Sequence, residues 1–243
     1  MVNFELRRDR IVARWRDKKT EWVIEPRYWR NSTIAITCLF ILPVFLYGFP
    51  HILTMFTTAN LYAAIAIPLA LQLLGTGRVN FGPQLYLGVG GYTAALLNLH
   101  FGWNPAMTLM ATILVCAAIA LILSPTTWIA KGLYFSLITL ILPLTFLDVT
   151  YIWGDIFRGE VGLVGMSPLL AFEKVTWNYV AYYYLSLVLM LLYLLVCDRT
   201  VRSRVGVGMA AVNENENVAR MMGVRVDAYK VFFYVAPSVL TGI

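Results

Sequence analysis

Apolar residues run along this chain in seven blocks, at about 33–49, 59–74, 84–99, 105–124, 132–152, 179–197 and 231–243, separated by short connections and one long polar segment. Most blocks approach the ~20 residues an α-helix needs to cross ~30 Å of hydrocarbon, so the pattern predicts an all-α, polytopic membrane protein. The second block extends back as far as Ile52 on a generous reading, and the third is short and glycine-rich. The last block holds only 13 residues before Ile243, a rise of ~20 Å. The expectation is therefore six complete transmembrane helices and a truncated seventh, in a chain whose C-terminus is incomplete. Two parts result: a basic N-terminal segment, 1–31, and a transmembrane part, 32–243, that contains the long polar segment 198–230.

That polar segment reads DRTVRSRVGVGMAAVNENENVARMMGVRVDAYK. Apolar residues with small or polar neighbours at 205–212 and 217–222, punctuated by Gly206, Gly208 and Gly223, predict two short surface helices. Residues 1–31 carry nine basic residues against five acids, with Phe4, Ile11, Trp15 and Trp22 interleaved. This fits either a basic helix on an anionic leaflet or a solvated tail.

Composition agrees with the pattern. Hydrophobic residues make up 60% of the chain and charged residues 13%, with a mean hydropathy of +0.71. If all seven blocks cross, 17 of the 19 basic residues fall on one side, including Arg78 and Lys131, and only Arg158 and Lys174 on the other. By the positive-inside rule the N-terminus and the long loop are cytoplasmic, in a multi-pass inner or plasma membrane protein. The charged start argues against a cleaved signal peptide. Cys38, Cys116 and Cys197 lie in or at the end of apolar blocks without CxxC spacing, and His51 and His100 sit in short connections, so neither a disulfide frame nor a metal site is expected. No GxxxxGK[ST], HExxH or GxSxG occurs, which excludes a P-loop in this chain and leaves no nucleophile and base for catalysis. No cofactor and no nucleic-acid partner are implied.

Two stretches at membrane depth carry candidate chemistry. Gly75–Leu97 combines six glycines, a proline and polar groups. Irregular backbone there is tolerated only inside protein or beside a water-filled cavity, which makes it a candidate substrate pathway; the small-xxx-small pairs Gly90 with Ala94 and Gly91 with Ala95 equally suit close helix packing. Asp148, about four residues inside the outer end of the fifth block, is either a functional intramembrane carboxylate or an interfacial anchor beside Tyr151 and Trp153. Pro43, Pro68, Pro143 and Pro237 lie inside apolar blocks, where each is expected to kink its helix.

The polar segment resembles the cytoplasmic coupling loop of ABC importer permeases of the branched-chain amino-acid family. The match runs through Ser203, Arg204 and Gly206, then Ala211, Glu214, Asn215 and Glu216, then Ala219, Arg220 and Gly223, followed by Tyr229 and Lys230. Gly82, Gly88, Gly90 or Gly91 and Tyr92–Leu97 are similar to the family's glycine-rich YTAALL stretch, with Asn80, Gly82 and Gln84 where the family commonly has S-x-G-x-A. Gly132–Phe135 matches its GLYF, and Gly159, Gly162 and Gly165 its external glycine loop, with Arg158 where the first T-G is expected. The resemblance implies a permease subunit for branched-chain amino acids or related small polar solutes, working by alternating access. Its implied partners are ABC ATPase subunits, a second homologous or identical permease subunit, an extracytoplasmic solute-binding protein and membrane lipid.

On this reading Asn80, Gln84, Tyr92, Thr93 and Asp148 are substrate-pathway residues. Gly208, Ala211, Glu214, Asn215, Glu216, Arg220 and Gly223 are ATPase-coupling residues, with Val212, Val218, Met221 and Met222 as apolar anchors and Glu214, Glu216 and Arg220 paired with partner charges. A secondary transporter or facilitator without an ATPase is the alternative, disfavoured by the single large loop and the scarcity of buried charge pairs.

Overall fold

The computed structural model describes the backbone of residues 2–7, 10–15, 18–24, 26–130, 132–170, 172 and 175–243, and side chains from Ile36 onward except Glu160. Lys131 and Lys174 lie outside the described residues, as do the side chains of 1–35. Each of the seven apolar blocks lies mostly or wholly in one helix: α1 Pro26–Phe45, α2 Pro50–Thr76, α3 Pro83–Phe101, α4 Pro105–Leu123, α6 Leu133–Ile152, α8 Val175–Val201 and α11 Val226–Gly242. Short helices fill the connections, α5 Thr126–Ile129 and α7 Gly154–Phe157 among them, and the polar segment forms α9 Arg204–Glu214 and α10 Glu216–Met221. Four stretches are long and apolar enough to cross a membrane by length and composition: Pro50–Thr76, Pro105–Ile129, Leu133–Ile152 and Val175–Val201. With large apolar side chains such as Tyr62, Ile122, Leu133 and Ile152 exposed along their flanks, the chain is a multi-pass membrane protein.

The N-terminal segment departs from expectation. In place of a basic surface helix or solvated tail it forms a three-stranded antiparallel sheet of order β1-β2-β3, from Val2–Arg7, Arg10–Trp15 and Lys18–Ile24, in which Val2 pairs with Trp15 and Ile11 with Ile24. Within β1 the apolar residues Val2, Phe4 and Leu6 recur every second position, and within β2 Ile11, Ala13 and Trp15 do so around Val12, a period that belongs to strands.

Element boundaries follow the local chemistry. Proline opens α1, α2, α3 and α4, where its missing N–H has no intrahelical partner to lose. Gly77 and Gly102 end α2 and α3 in the left-handed conformation, the Gly77 N–H bonding back to the Leu73 carbonyl. The second helix begins nine residues before the predicted block, at Pro50 rather than 59. Its first turns carry Thr54, Thr57 and Thr58, which return their hydroxyls to carbonyls four residues back, so none of the three is left unpaired in this weakly hydrophobic stretch.

Helices α2 and α8 pack side by side through Leu53, Val180, Tyr183 and Leu187. Asn60 donates from Nδ2 to Ser186 Oγ at 3.3 Å between them, and Tyr183 and Tyr184 donate to the Leu39 and Phe40 carbonyls of α1. Such interhelical bonds contribute about 0.6 kcal/mol each in membranes. A second cluster joins α3, α4, α6 and α11 through Leu85, Tyr86, Val89, Cys116, Ala120, Phe135 and Tyr234, with Tyr86 Oη 3.0 Å from Tyr234 Oη.

Small residues set how closely α3 approaches α11. A Cβ at Gly90 would overlap the Gly242 carbonyl, and Gly242 itself lies against the Cys116 sulfur and the Tyr86 carbonyl. Gly91, by contrast, faces open space, so the close-packing reading of this stretch holds at Gly90 and Ala95. Gly90→Leu is expected to cost more than the ~1–3 kcal/mol of ordinary overpacking, because backbone and not a flexible side chain must yield. A fall in monodisperse protein on size-exclusion chromatography, beside an unaffected Gly91→Ala, is the measurement.

Candidate functional site

Two separate regions are of chemical interest, one between α3 and α6 and one on α9 and α10. The first is an open cleft of ≈ 450 Å³ between these helices. Gln84, Gly88 and Tyr92 of α3 line one wall, Pro143, Phe146, Leu147 and Thr150 of α6 the other, and Gly159 and Gly162 of the following loop the mouth. A Cβ at Gly88 would press on the Phe146 ring, so the absence of a side chain there keeps the cleft open. Tyr92 is held edge-on between Phe146 and Phe157, with ring centroids 5.9 and 5.1 Å away. Among the described residues no charged side chain lines the cleft, which offers the Gln84 amide and aromatic or aliphatic surface to a small uncharged or zwitterionic solute.

The loop at the mouth is tied down. Asn98 of α3 donates to Ser167 Oγ at 2.6 Å and accepts from the Ser167 N–H at 2.9 Å. Arg158, in the place where a glycine was expected, adopts φ +58° and closes α7 through its N–H to the Gly154 carbonyl.

Of the five residues predicted for the pathway, Gln84 and Tyr92 meet in this cleft. Asn80 does not line it: buried between α2 and α6, it donates to Gln72 Oε1 at 2.9 Å and accepts from the Gly82 N–H at 2.8 Å, which makes it a support for the start of α3. Gln72 is itself buried, with its Nε2 unpaired. Thr93 is half-buried beside Tyr92, and Asp148 is exposed on α6, neither lining the cleft.

The non-helical turn Gly77–Gly82 runs deep. The Phe81 N–H donates to Thr139 Oγ1 at 3.1 Å and the Ser136 hydroxyl donates to the Val79 carbonyl at 2.8 Å, so α3 starts level with the second turn of α6, about 9 Å along that helix. Irregular backbone at such depth is held by protein side chains, as a membrane interior requires.

The second region is the loop-side surface built by α9 and α10. Ser203 caps α9 by accepting from the Val205 N–H, and Asn215 caps α10 by accepting from the Asn217 and Val218 N–H groups at 3.0 and 3.2 Å. Gly223 closes α10 at φ +83°, with the Val224 N–H returning to the Ala219 carbonyl, a Schellman arrangement that only glycine adopts freely. A Cβ at Gly206 would overlap the Val201 carbonyl and one at Gly208 the Tyr229 ring, so both glycines seat α9 against α8 and α11. Ala211, Val212, Ala219 and Val226 close the space between α9, α10 and α11.

Glu216 carries the strongest electrostatics. Its Oε1 lies 3.1 Å from Arg78 Nη2 and its Oε2 2.7 Å from Lys230 Nζ; the side chains of Arg78 and Lys230 are only 9% and 5% exposed, and that of Glu216 35%. Arg78 also donates to the Thr127 and Ala130 carbonyls beside α5. Expected to meet a partner's charge, Glu216 instead neutralises two buried cations of its own chain. Arg220, likewise assigned to a partner, pairs with Asp227 at 2.8 Å where both are half-exposed, an arrangement worth little. Glu214 is exposed. Val212, expected as a docking anchor, is buried inside, whereas Val218, Met221 and Met222 point outward, Met221 at 87% and Met222 at 80% exposure. Arg78 was missed by sequence reasoning, though it is the sole Asp, Glu, Lys or Arg between residues 31 and 130.

A polytopic helical bundle with an uncharged cleft between two of its helices and a separate, capped surface lobe has the anatomy of a membrane permease. The family model described as "Branched-chain amino acid transport system / permease component" matches residues 51–243, and the chain belongs to that family. It is 27% identical over 198 residues to "Probable branched-chain amino acid transport permease protein LivH" of Methanocaldococcus jannaschii, a match that covers 76% of this chain and 61% of that protein. The chain thus spans less than two thirds of the length of this curated relative. No solved structure matches.

Proposed function

We propose that this chain is the membrane-spanning permease subunit of an ABC importer for branched-chain amino acids or related small polar solutes. Six helices, α1, α2, α3, α4, α6 and α8, cross the membrane and α11 enters it, with the N-terminus and the α9–α10 lobe in the cytoplasm, as the distribution of basic residues supports. Solute delivered by an extracytoplasmic binding protein enters the cleft lined by Gln84 and Tyr92. ATP-driven closure of two ATPase subunits acts on the α9–α10 lobe, and alternating access of the permease pair moves the solute inward. The observation that carries the reading is the lobe itself: capped, seated on glycines and tipped with exposed Val218, Met221 and Met222, in a chain that has no P-loop.

Uptake of labelled leucine, isoleucine and valine into proteoliposomes tests it. Accumulation is expected only with the ATPase subunits, internal ATP and binding protein present; accumulation by the permease alone under an ion gradient would show a secondary transporter instead. Orientation is tested separately. A cysteine at Met221 in a Cys38→Ala background is expected to resist an impermeant maleimide in intact cells, while one at Val161, exposed in the outer loop, reacts. Labelling at Met221 from outside would reverse the topology.

A further inference from the structure

We infer that Arg78 is the positioning residue that ties the α9–α10 lobe to the walls of the solute cleft, so that displacement of α10 reaches Gln84 through the Gly77–Gly82 turn. The inference rests on the coupling reading above and goes beyond it by naming the connection. The two regions share no side chain, yet an unbroken line of bonds joins them. Glu216, at the first position of α10, holds Arg78 at 3.1 Å, and the same guanidinium grips the carbonyls of Thr127 and Ala130, which lead into α6.

The four residues after Arg78 are fixed in turn. The Val79 carbonyl accepts from Ser136, Asn80 bonds Gln72 of α2, the Phe81 N–H donates to Thr139, and the Gly82 N–H is held by Asn80. Two residues further on, Gln84 lines the cleft, and Ser136 and Thr139 sit on the helix that forms its opposite wall. A planar guanidinium suits such a joint, since its donors sit on separate coplanar nitrogens and hold three partners in set directions, whereas an ammonium offers three rotatable donors from a single point. A route drawn from contacts becomes a coupling route only when perturbing the joint changes the response at the far end. Arg78 is the point to cut: it touches the lobe and the turn, and it lines no part of the cleft.

The test uses the assembled complex of permease and ATPase subunits in nanodiscs. Leu147, a cleft residue, is changed to cysteine in a Cys38→Ala chain, Cys116 and Cys197 being buried, and its maleimide reaction rate is measured without nucleotide and with ATP plus vanadate. The parent rate is expected to change about fivefold or more between the two states, and that of Arg78→Gln by less than about twofold, while the complex still hydrolyses ATP. Glu216→Gln is expected to reduce the response similarly, and Arg78→Gln with Glu216→Gln to reduce it no further, the non-additivity of residues in one connection.

A parent that responds beside an Arg78→Gln chain that responds equally overturns the linkage alone. A parent with no response to nucleotide overturns the coupling reading and the linkage with it. Should Arg78→Gln fail to assemble, Arg78→Lys decides, because it keeps the ion pair to Glu216 and loses the simultaneous grip on two carbonyls: a response cut by about half or more supports the linkage, and a full response refutes it.

Discussion

Glu216→Ala is expected to lower the stability of the folded permease by about 3 kcal/mol, the cost of removing one member of a buried ionic group and leaving its partner uncompensated. Lys230 carries most of that cost. Its side chain is 5% exposed and its ion pair is with Glu216, whereas Arg78 keeps two carbonyl acceptors when the carboxylate is gone. Adding Lys230→Met, which places an uncharged chain of similar length in the same space, is expected to recover most of the loss. Thermal unfolding in detergent, followed by size-exclusion of the soluble fraction, measures both. An unshifted melting temperature in the single variant would mean that Lys230 reaches water or another anion once Glu216 is removed.

The other large effect concerns association and leaves the fold alone. Met221→Glu with Met222→Glu places two carboxylates on the exposed tip of the lobe, where both parent side chains are almost wholly solvent-facing and touch little of their own chain. Stability is therefore expected to stay within about 0.5 kcal/mol of the parent. Co-purification with the ATPase subunits is expected to fall by about a hundredfold, as when apolar anchors at the centre of an interface are lost and charge is buried in their place. Normal co-purification of this variant would move the docking surface elsewhere on the loop side.

How far the sequence foretold these features depended on how local each was. Each of the seven long helices announced itself, because the hydropathy of a 20-residue stretch needs no knowledge of its neighbours, and the two surface helices of the polar segment were legible from Gly206, Gly208 and Gly223, whereas the one-turn helices α5 and α7 carried no such signal. The N-terminal strands were misread because interleaved basic and apolar residues were assigned a surface role before their period of two was counted. Of the stretch's polar residues, Gln84 and Tyr92 line the cleft and Asn80 turns inward to Gln72: all three lie in the same glycine-rich stretch, and only the packing of α6 decides which face the cleft. The ionic cluster was hidden by distance along the chain. Arg78 and Glu216 are 138 residues apart, and nothing local to Glu216 distinguishes an acid turned inward from one offered to a partner. The lone charge of Arg78 in a hundred-residue uncharged stretch was the available signal.

In the lobe, the residues that hold it in place and those that present it to the outside are different residues. Gly206, Gly208, Ala219 and Glu216 are committed to contacts within the chain, and a change at any of them disturbs the fold. Val218, Met221 and Met222 carry no such obligation. The tip is thus free to diverge between related permeases at almost no structural penalty, so that, on the proposed reading, three side chains would be enough to set which ATPase a permease engages, with no rebuilding of the helices beneath.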